Sequence, residues 1–413
     1  MKRSSREYWM TYDGKDLADK LMSMHDLYYA ARSVNPIYQM WIRNTYAYNS
    51  TIMDQQSWMT SLNFTGDQGE LVKMSIPQSR SLIRQLLTLV TKQKLAFNAI
   101  AEVQKSDVTE EVRIANAICE QTVKNQNLDV QSENMVEHGL TIGTSFMKSI
   151  WRSDRGTPRA VTESQDGRKD VIYDGDLEIT TPHVTNLMYN FMNEKWDDND
   201  WAEDKVRRSR WSLIAQHPEL ADEILKLPSV SQDNRTRSWF GMDDDDEVYV
   251  YELYHKPTPA LPRGRMIFYS NSETIYYDDE NRYGCIPIEQ FKPEPIDGMG
   301  FGYAMLSNLL PSQEMYDHDL SAIATNHSAL GVQNVSVPRG ANVDVQEIYG
   351  MVFTNYTPMP GIPGGGKPEP LQLVSSSPEL FKLPEVLLAG MQQMSNINAA
   401  VRGELPGGTS GVA

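Results

Sequence analysis

Carboxylates are the chemistry this chain offers most freely. Three runs stand out, Asp197-Asp198-Asn199-Asp200, Asp243-Asp244-Asp245-Asp246-Glu247 and Asp278-Asp279-Glu280. A hard divalent cation requires several carboxylate oxygens in one place. None of the three runs has the glycine that an EF-hand loop places after its third ligand position. Acidic runs usually lie in water between strands, and that is the reading they carry here. The seven histidines are scattered, with no HExxH or HxH among them. Asp317-His318-Asp319 gathers ligand types, but it falls in a helical stretch, where consecutive side chains leave the axis in different directions. No metal or other cofactor is expected.

Other chemical motifs fall short for stated reasons. Gly408-Thr409-Ser410-Gly411 lacks the spacing of a nucleophile elbow. Gly298-Met299-Gly300-Phe301-Gly302 lacks the third glycine of a dinucleotide fingerprint and follows no βαβ strand. In Gly364-Gly365-Gly366-Lys367-Pro368 a proline stands where a phosphate loop needs Ser or Thr to hold magnesium. All three read as loops, and the chain is expected not to be an enzyme. Tryptophans and twenty tyrosines are spread along the whole sequence, a pattern of core and subunit contacts rather than a carbohydrate surface.

Composition bounds the class. The chain has 413 residues, 38 Lys+Arg against 55 Asp+Glu, a net charge of −17, and is 40% hydrophobic. That is too apolar for a disordered chain and long enough for two or three domains. Net acidity excludes a protein that grips the phosphate backbone, because such contact requires Lys and Arg. It does not exclude a protein that handles DNA without gripping it. Cys119 and Cys285 are far apart with no CxxC partner, so a reducing compartment is expected. No secretory signal follows the basic residues 1–7, and no run of eighteen uncharged apolar residues occurs, so a soluble intracellular chain without membrane contact is expected.

The elements that would position these residues follow from periodicity. Leu17, Leu21, Met24, Leu27 and Tyr28 form a helical stripe over residues 14–34, and a further helix covers 37–44. Pro77 opens a helix whose apolar spacing runs through Leu95 and Phe97. Residues 107–127 and 130–140 supply two more helices. Strands are expected at 144–151, 171–173, 177–180, 206–213, 248–254, 265–269 and 273–277, the last three as an antiparallel meander, with a turn at 154–158 and a short helix at 218–227. Helices return at 303–328, with Pro311 inside, and at 380–400, separated by short strands at 332–337 and 352–353. Residues 357–370 hold five prolines and four glycines, too many for a regular element. The class is α+β. Residues 402–411 are a loop, and a chain that stops within such a loop is expected to be a fragment or to lack a downstream part.

The order of these last elements is specific. A Gly-rich entry, a helix containing Leu-Leu-Pro-Ser-Gln-Glu (309–314), a small irregular insert, a second helix and a Gly-rich loop resembles the portal protein of tailed double-stranded DNA bacteriophages, of the short-tailed type. The opening, Tyr28-Tyr29-Ala30-Ala31-Arg32 to Trp41-Ile42-Arg43-Asn44, is similar to the helical start of portals. Residues 178–187 (EITTPHVTNL) and 204–227 resemble segments of their wing domain. The match at 401–411 (VRGELPGGTSG) resembles the loop after their second stem helix. The likeness covers nearly the whole chain in element order, while single-residue motifs are weak.

The resemblance implies a wing domain over residues 1–298, a first stem helix over 299–330, a clip over 331–373, a second stem helix over 374–398 and a tunnel loop over 399–413, with the portal's crown absent from this chain. It implies a homo-oligomeric ring, a dodecamer, at one capsid vertex of the virion, assembled in the host cytoplasm. Double-stranded DNA passes through such a ring during packaging and ejection. Its partners are terminase, then the head-to-tail adaptor, and the major capsid or scaffolding protein. Arg402, Glu404, Gly407, Gly408, Thr409 and Ser410 would form the loop at the DNA, and Arg339, Asp344, Glu347 and Lys367 would belong to the clip. Between Asp297 and Ala413 four basic residues stand against ten acidic ones, a net −6, and a mildly repulsive wall lets DNA slide. Two other classes stay open: another virion structural protein, such as an adaptor or capsid-associated protein, and a hydrolase using a pair of acids, for which the sequence singles out no pair.

Overall fold

The computed structural model describes residues 8–34, 36–49, 74–92, 97–101, 106–163, 169–230, 246–271, 273–331, 333–339, 351–357, 369–370 and 378–395. In chain order it begins with helices α1 (Gly14–Val34), α2 (Pro36–Tyr48), α3 (Gln78–Val90), α4 (Ser106–Asn125) and α5 (Leu128–Ile142). Strands β1 (Ser145–Arg152), β2 (Pro158–Glu163), β3 (Lys169–Tyr173), β4 (Asp176–Thr180), β5 (Leu187–Tyr189) and β6 (Trp201–Ser209) follow. Short helices α6 (Arg210–Gln216) and α7 (Ala221–Lys226) precede β7 (Glu247–His255), β8 (Arg265–Tyr269), β9 (Ile275–Asp279) and β10 (Ile288–Phe291). The last elements are α8 (Met305–Gly331), β11 (Gln333–Pro338), β12 (Met351–Tyr356), β13 (Glu369–Pro370) and α9 (Pro378–Met394). The fold is α+β, with nine α-helices among the described residues and mainly antiparallel sheets.

Two compact units divide the chain, one of residues 1–45 and 87–305, the other of 46–86 and 306–413. The first is built on a five-stranded antiparallel sheet in the order β5-β6-β7-β8-β9 and a three-stranded one in the order β10-β1-β4. The meander β7-β8-β9 lies where β-branched and aromatic residues placed it. Alternation along the strands gives the five-stranded sheet two apolar faces. One face packs Leu253, Ile267 and Tyr269 against Met10, Leu17, Ala18 and Leu21 of the N-terminal region. The other packs Ala202, Tyr254 and Met266 with Phe146, Ile150 and Ile288 of the smaller sheet, and Val248 and Val250 with Leu213, Ile224 and Leu227.

Several expected elements have different bounds. The strand placed at 206–213 stops at Ser209, and Arg210 begins α6. Arg210 is buried, and its guanidinium donates to the carbonyls of Ile224, Leu225 and Leu227 at the end of α7, so the chain turns there to bring it inward. The helix after Pro77 ends at Val90 rather than running through Phe97. Leu89 and Val90 are already exposed, so the apolar stripe gains no burial that would extend it. Pro158, placed in a turn, is the first residue of β2, which pairs with β3 as a two-stranded hairpin. Strand β10 went unpredicted, although its Ile288 is wholly buried.

Gly143 and the 298–302 glycine run have a structural purpose distinct from flexibility. Gly143 ends α5 with φ at +92°, and a Cβ there would sit 2.5 Å from the Gly302 carbonyl oxygen. Gly302 in turn has no room for a side chain against the Gly143 carbonyl, and the Gly300 amide donates to Phe191 O at 2.7 Å. These glycines permit backbones to touch.

In the second unit α8 holds the segment ahead of α3 by a stripe one turn apart. Gln313 accepts from Ser79 N at 2.9 Å, Asp317 from Ile76 N at 3.2 Å and from Ser75 Oγ at 2.8 Å, and Ser321 from Met74 N at 3.0 Å. Ile76 N and Ser79 N flank the first turn of α3, so α8 supplies the acceptors that its own sequence does not. Strand β11 pairs in parallel with β12 and antiparallel with β13, and α9 buries Met391. Both α8 and α9 continue through a proline, Pro311 and Pro384.

Candidate functional site

Of the ten residues that the resemblance assigns to the loop and the clip, Arg339 lies among the described ones. It is exposed in the turn that follows β11. Asp344, Glu347, Lys367, Arg402, Glu404, Gly407, Gly408, Thr409 and Ser410 lie outside the described residues, as do Asp243, Asp244 and Asp245 of the second acidic run.

The remaining acids are distributed rather than gathered. Asp278 takes a bidentate grip from Arg265, with Nε and Nη2 each at 2.7 Å, and Arg265 also donates to the carbonyls of Met10 and Tyr12 at 2.7 Å. Glu280 pairs with Arg263, and Asp246 accepts from Trp211 Nε1 at 2.7 Å. Along Asp317-His318-Asp319 the side chains diverge as a helix dictates. Asp317 faces residues 75–76, His318 is exposed and Asp319 is buried, its Oδ2 without a hydrogen-bond partner. Burial pushes the Asp317 carboxyl above its ordinary range despite its three donors. Among the described residues no group of three or more His, Cys, Asp and Glu side chains could hold a metal ion.

The densest ionisable constellation is one that motif reading passes over. Lys148 of β1 is 2% exposed, and its Nζ donates to Asp204 Oδ2 of β6 at 2.7 Å and to Glu252 Oε2 of β7 at 2.6 Å. Arg208 Nη2 donates to Glu252 Oε1 at 2.8 Å, and Tyr254 OH donates to Glu252 Oε2 at 3.0 Å. Two cations and two carboxylates make the cluster formally neutral. Burial alone would lower the lysine's pKa, but the facing carboxylates of Asp204 and Glu252 outweigh it and hold the ammonium above its usual range. Burial would likewise raise Glu252, yet Lys148 and Arg208 together bring it down to about 2. Asp204 has Lys148 close and Glu252 beside it, so burial wins and its pKa rises. Tyr254 is pushed well up by burial and by Glu252.

Carboxylates held at split pKa values are a signature of acid–base catalysis when a substrate can reach them. Here none can. The first unit has an open groove of about 410 Å³, lined by Met24, Leu27, Tyr28, Met188, Tyr189, Asn190 and Trp201, and no member of the cluster borders it. The cluster is an internal ionic joint between two sheets. Its sequence signal was the period of β1: Phe146, Lys148 and Ile150 alternate on the buried side, which places a lysine where an apolar residue is the rule.

A second joint lies on the other face of the five-stranded sheet. His25 Nε2 of α1 meets Glu203 Oε1, and Tyr269 OH donates to Glu203 Oε2 at 2.8 Å. His255, wholly buried at the end of β7, donates from Nδ1 to Lys256 O at 2.6 Å, so its Nε2 accepts from Tyr8 OH at 2.8 Å. Burial lowers its pKa. Among the described residues no helix is long and apolar enough to cross a membrane. Compared with known proteins, the chain matches no family model and no curated protein.

Proposed function

We propose that the chain is a portal protein of a tailed double-stranded DNA bacteriophage, a ring of identical subunits at one capsid vertex through which DNA enters and leaves. The observation that carries the reading is the composition of the second unit. A 27-residue helix, a small three-stranded sheet and a 17-residue helix follow one another in one compact body. That is the order of first stem helix, clip and second stem helix, with α8, β11–β13 and α9 in those roles. The physics of α8 supports it. Its 27 residues include no Lys or Arg, so the helix offers no phosphate-binding charge to DNA moving past. The acids of the first unit's ionic joints are buried and paired, which favours a structural role over an acid-pair hydrolase.

In this reading the first unit is the wing, meeting capsid or scaffolding protein, and the β11–β13 region with Arg339 meets terminase and later the adaptor. Arg402 and Glu404 stand nearest the DNA. The test is electron microscopy of the purified full-length protein. Class averages are expected to show a ring with a central hole, twelvefold by the resemblance. A monodisperse monomer or a solid, unpierced oligomer overturns the reading.

A further inference from the structure

Strand β6 carries two adjacent buried acids, Glu203 and Asp204, and the pleat sends them to opposite faces of the five-stranded sheet. On one face Glu203 is met by His25 of α1 and Tyr269. On the other, Asp204 stands directly opposite Glu252 in the β6–β7 register, an arrangement of like charges that by itself opposes pairing. Lys148 reaches across from the β10-β1-β4 sheet and bonds both carboxylates. The β6–β7 pairing and the docking of β1 therefore depend on each other.

We propose that Glu203 and Asp204 form a two-sided charge key, which sets the register of β6 and assigns α1 to one face of the sheet and β1 to the other. The consequence of a slip makes the case. Moving β6 by one residue in one direction brings Ala202 to the position facing His25 and leaves the imidazole without its carboxylate. Moving it the other way sets Lys205 against Lys148, two ammonium groups in a dry interior. Either slip is penalised on at least one face, in addition to moving the apolar set of β6 to the wrong side of the sheet. Buried ion pairs add little net stability over apolar packing, and fixing register is the use of them best attested. The key goes beyond the portal reading and holds whether or not the chain forms a ring.

The test uses the full chain and hydrogen exchange read by mass spectrometry over residues 201–209 and 247–255. The apolar variant H25L/K148M/E203L/D204L/E252L, which removes both sides of the key, is expected to keep a cooperative melt at or above the wild-type midpoint. It is also expected to lose a single register, giving bimodal exchange and about tenfold lower protection in β6 and β7. The transposed variant K148E/D204K keeps one cation among the acids, with Arg208 still on Glu252, and is expected to restore single-population exchange. K148M alone leaves two facing buried carboxylates and is expected to lose soluble folded protein. Wild-type protection in the apolar variant overturns the key, as does a K148M protein that folds like wild type. If the transposed variant fails to fold, packing shape and not charge is what sets the register, and the key falls too.

Discussion

Glu252 is the residue on which the interior charge balance turns. Its carboxyl is held at about 2 by Lys148 and Arg208 against its burial, while an unfolded chain returns it to the ordinary value near 4.5. A depressed folded pKa contributes stability that is present above the unfolded value and is lost as pH falls from about 4.5 through about 2. Glu252→Gln is expected to cost on the order of 3 kcal/mol at pH 7. In urea titrations the gap between variant and wild type should narrow steadily across that window, and a gap independent of pH contradicts the assignment. Asp204 works in the opposite sense, since its raised pKa imposes a penalty at neutral pH that acid relieves. Asp204→Asn should therefore cost less than Glu252→Gln at pH 7. The same scale includes Gly143, where a positive φ and the nearby Gly302 carbonyl both exclude a side chain. Gly143→Ala is expected to destabilise by about 2 kcal/mol or more, measured by chemical denaturation. Lys148 was legible as an anomaly, a charge on the buried side of an alternating strand. Its partners were not, because they lie 56 and 104 residues away and spacing along a chain says nothing about which strands face each other.

Helices and strands with a strong period were readable along the sequence, and those defined by contacts were not. The stripe of α1 and the β7-β8-β9 meander lie where their apolar spacing put them. Strand β10 escaped because four residues carry too little pattern, and its identity comes from pairing with β1. The turn from β6 into α6 escaped because Arg210 looks like a surface charge until the carbonyls of α7 are in place around it. Arg210→Met is expected to cost about 2–4 kcal/mol, since three carbonyls lose a charged donor. Hydrogen exchange should then report loosening in residues 221–227 before the rest of the unit. The start of α3 depends on another helix in a similar way. Asp317→Ala removes the acceptor for Ser75 Oγ and Ile76 N and should unlatch residues 74–79, leaving the body of α8 protected. If residues 74–79 keep their protection in that variant, Gln313 and Ser321 suffice to hold the helix start without Asp317.

For the whole molecule the decisive quantity is charge and where it lies. Of the net −17, the segment from residue 297 onward carries −6 and the preceding residues −11, so both parts are net acidic. Affinity for duplex DNA comes chiefly from counterion release, which requires Lys and Arg at phosphates. A protein that grips DNA non-specifically binds with a Kd of about 10⁻⁴ to 10⁻⁶ M at physiological salt, and this one should bind more weakly than that range. An electrophoretic shift assay with a long duplex at about 0.15 M salt is therefore expected to show no complex even where electron microscopy shows rings. Reversing charge tests whether the acidity matters for passage. E404K places a cation in the loop that the portal reading sets nearest the DNA, and repeated around a ring it adds one phosphate contact per subunit that can reach the duplex. Each contact made should steepen the dependence of log K on log salt by about −0.9, so the variant ring should gain DNA binding that vanishes as salt rises. Binding by the unmodified protein at physiological salt would contradict a sliding wall, and an E404K ring that still ignores DNA would place residue 404 away from the channel.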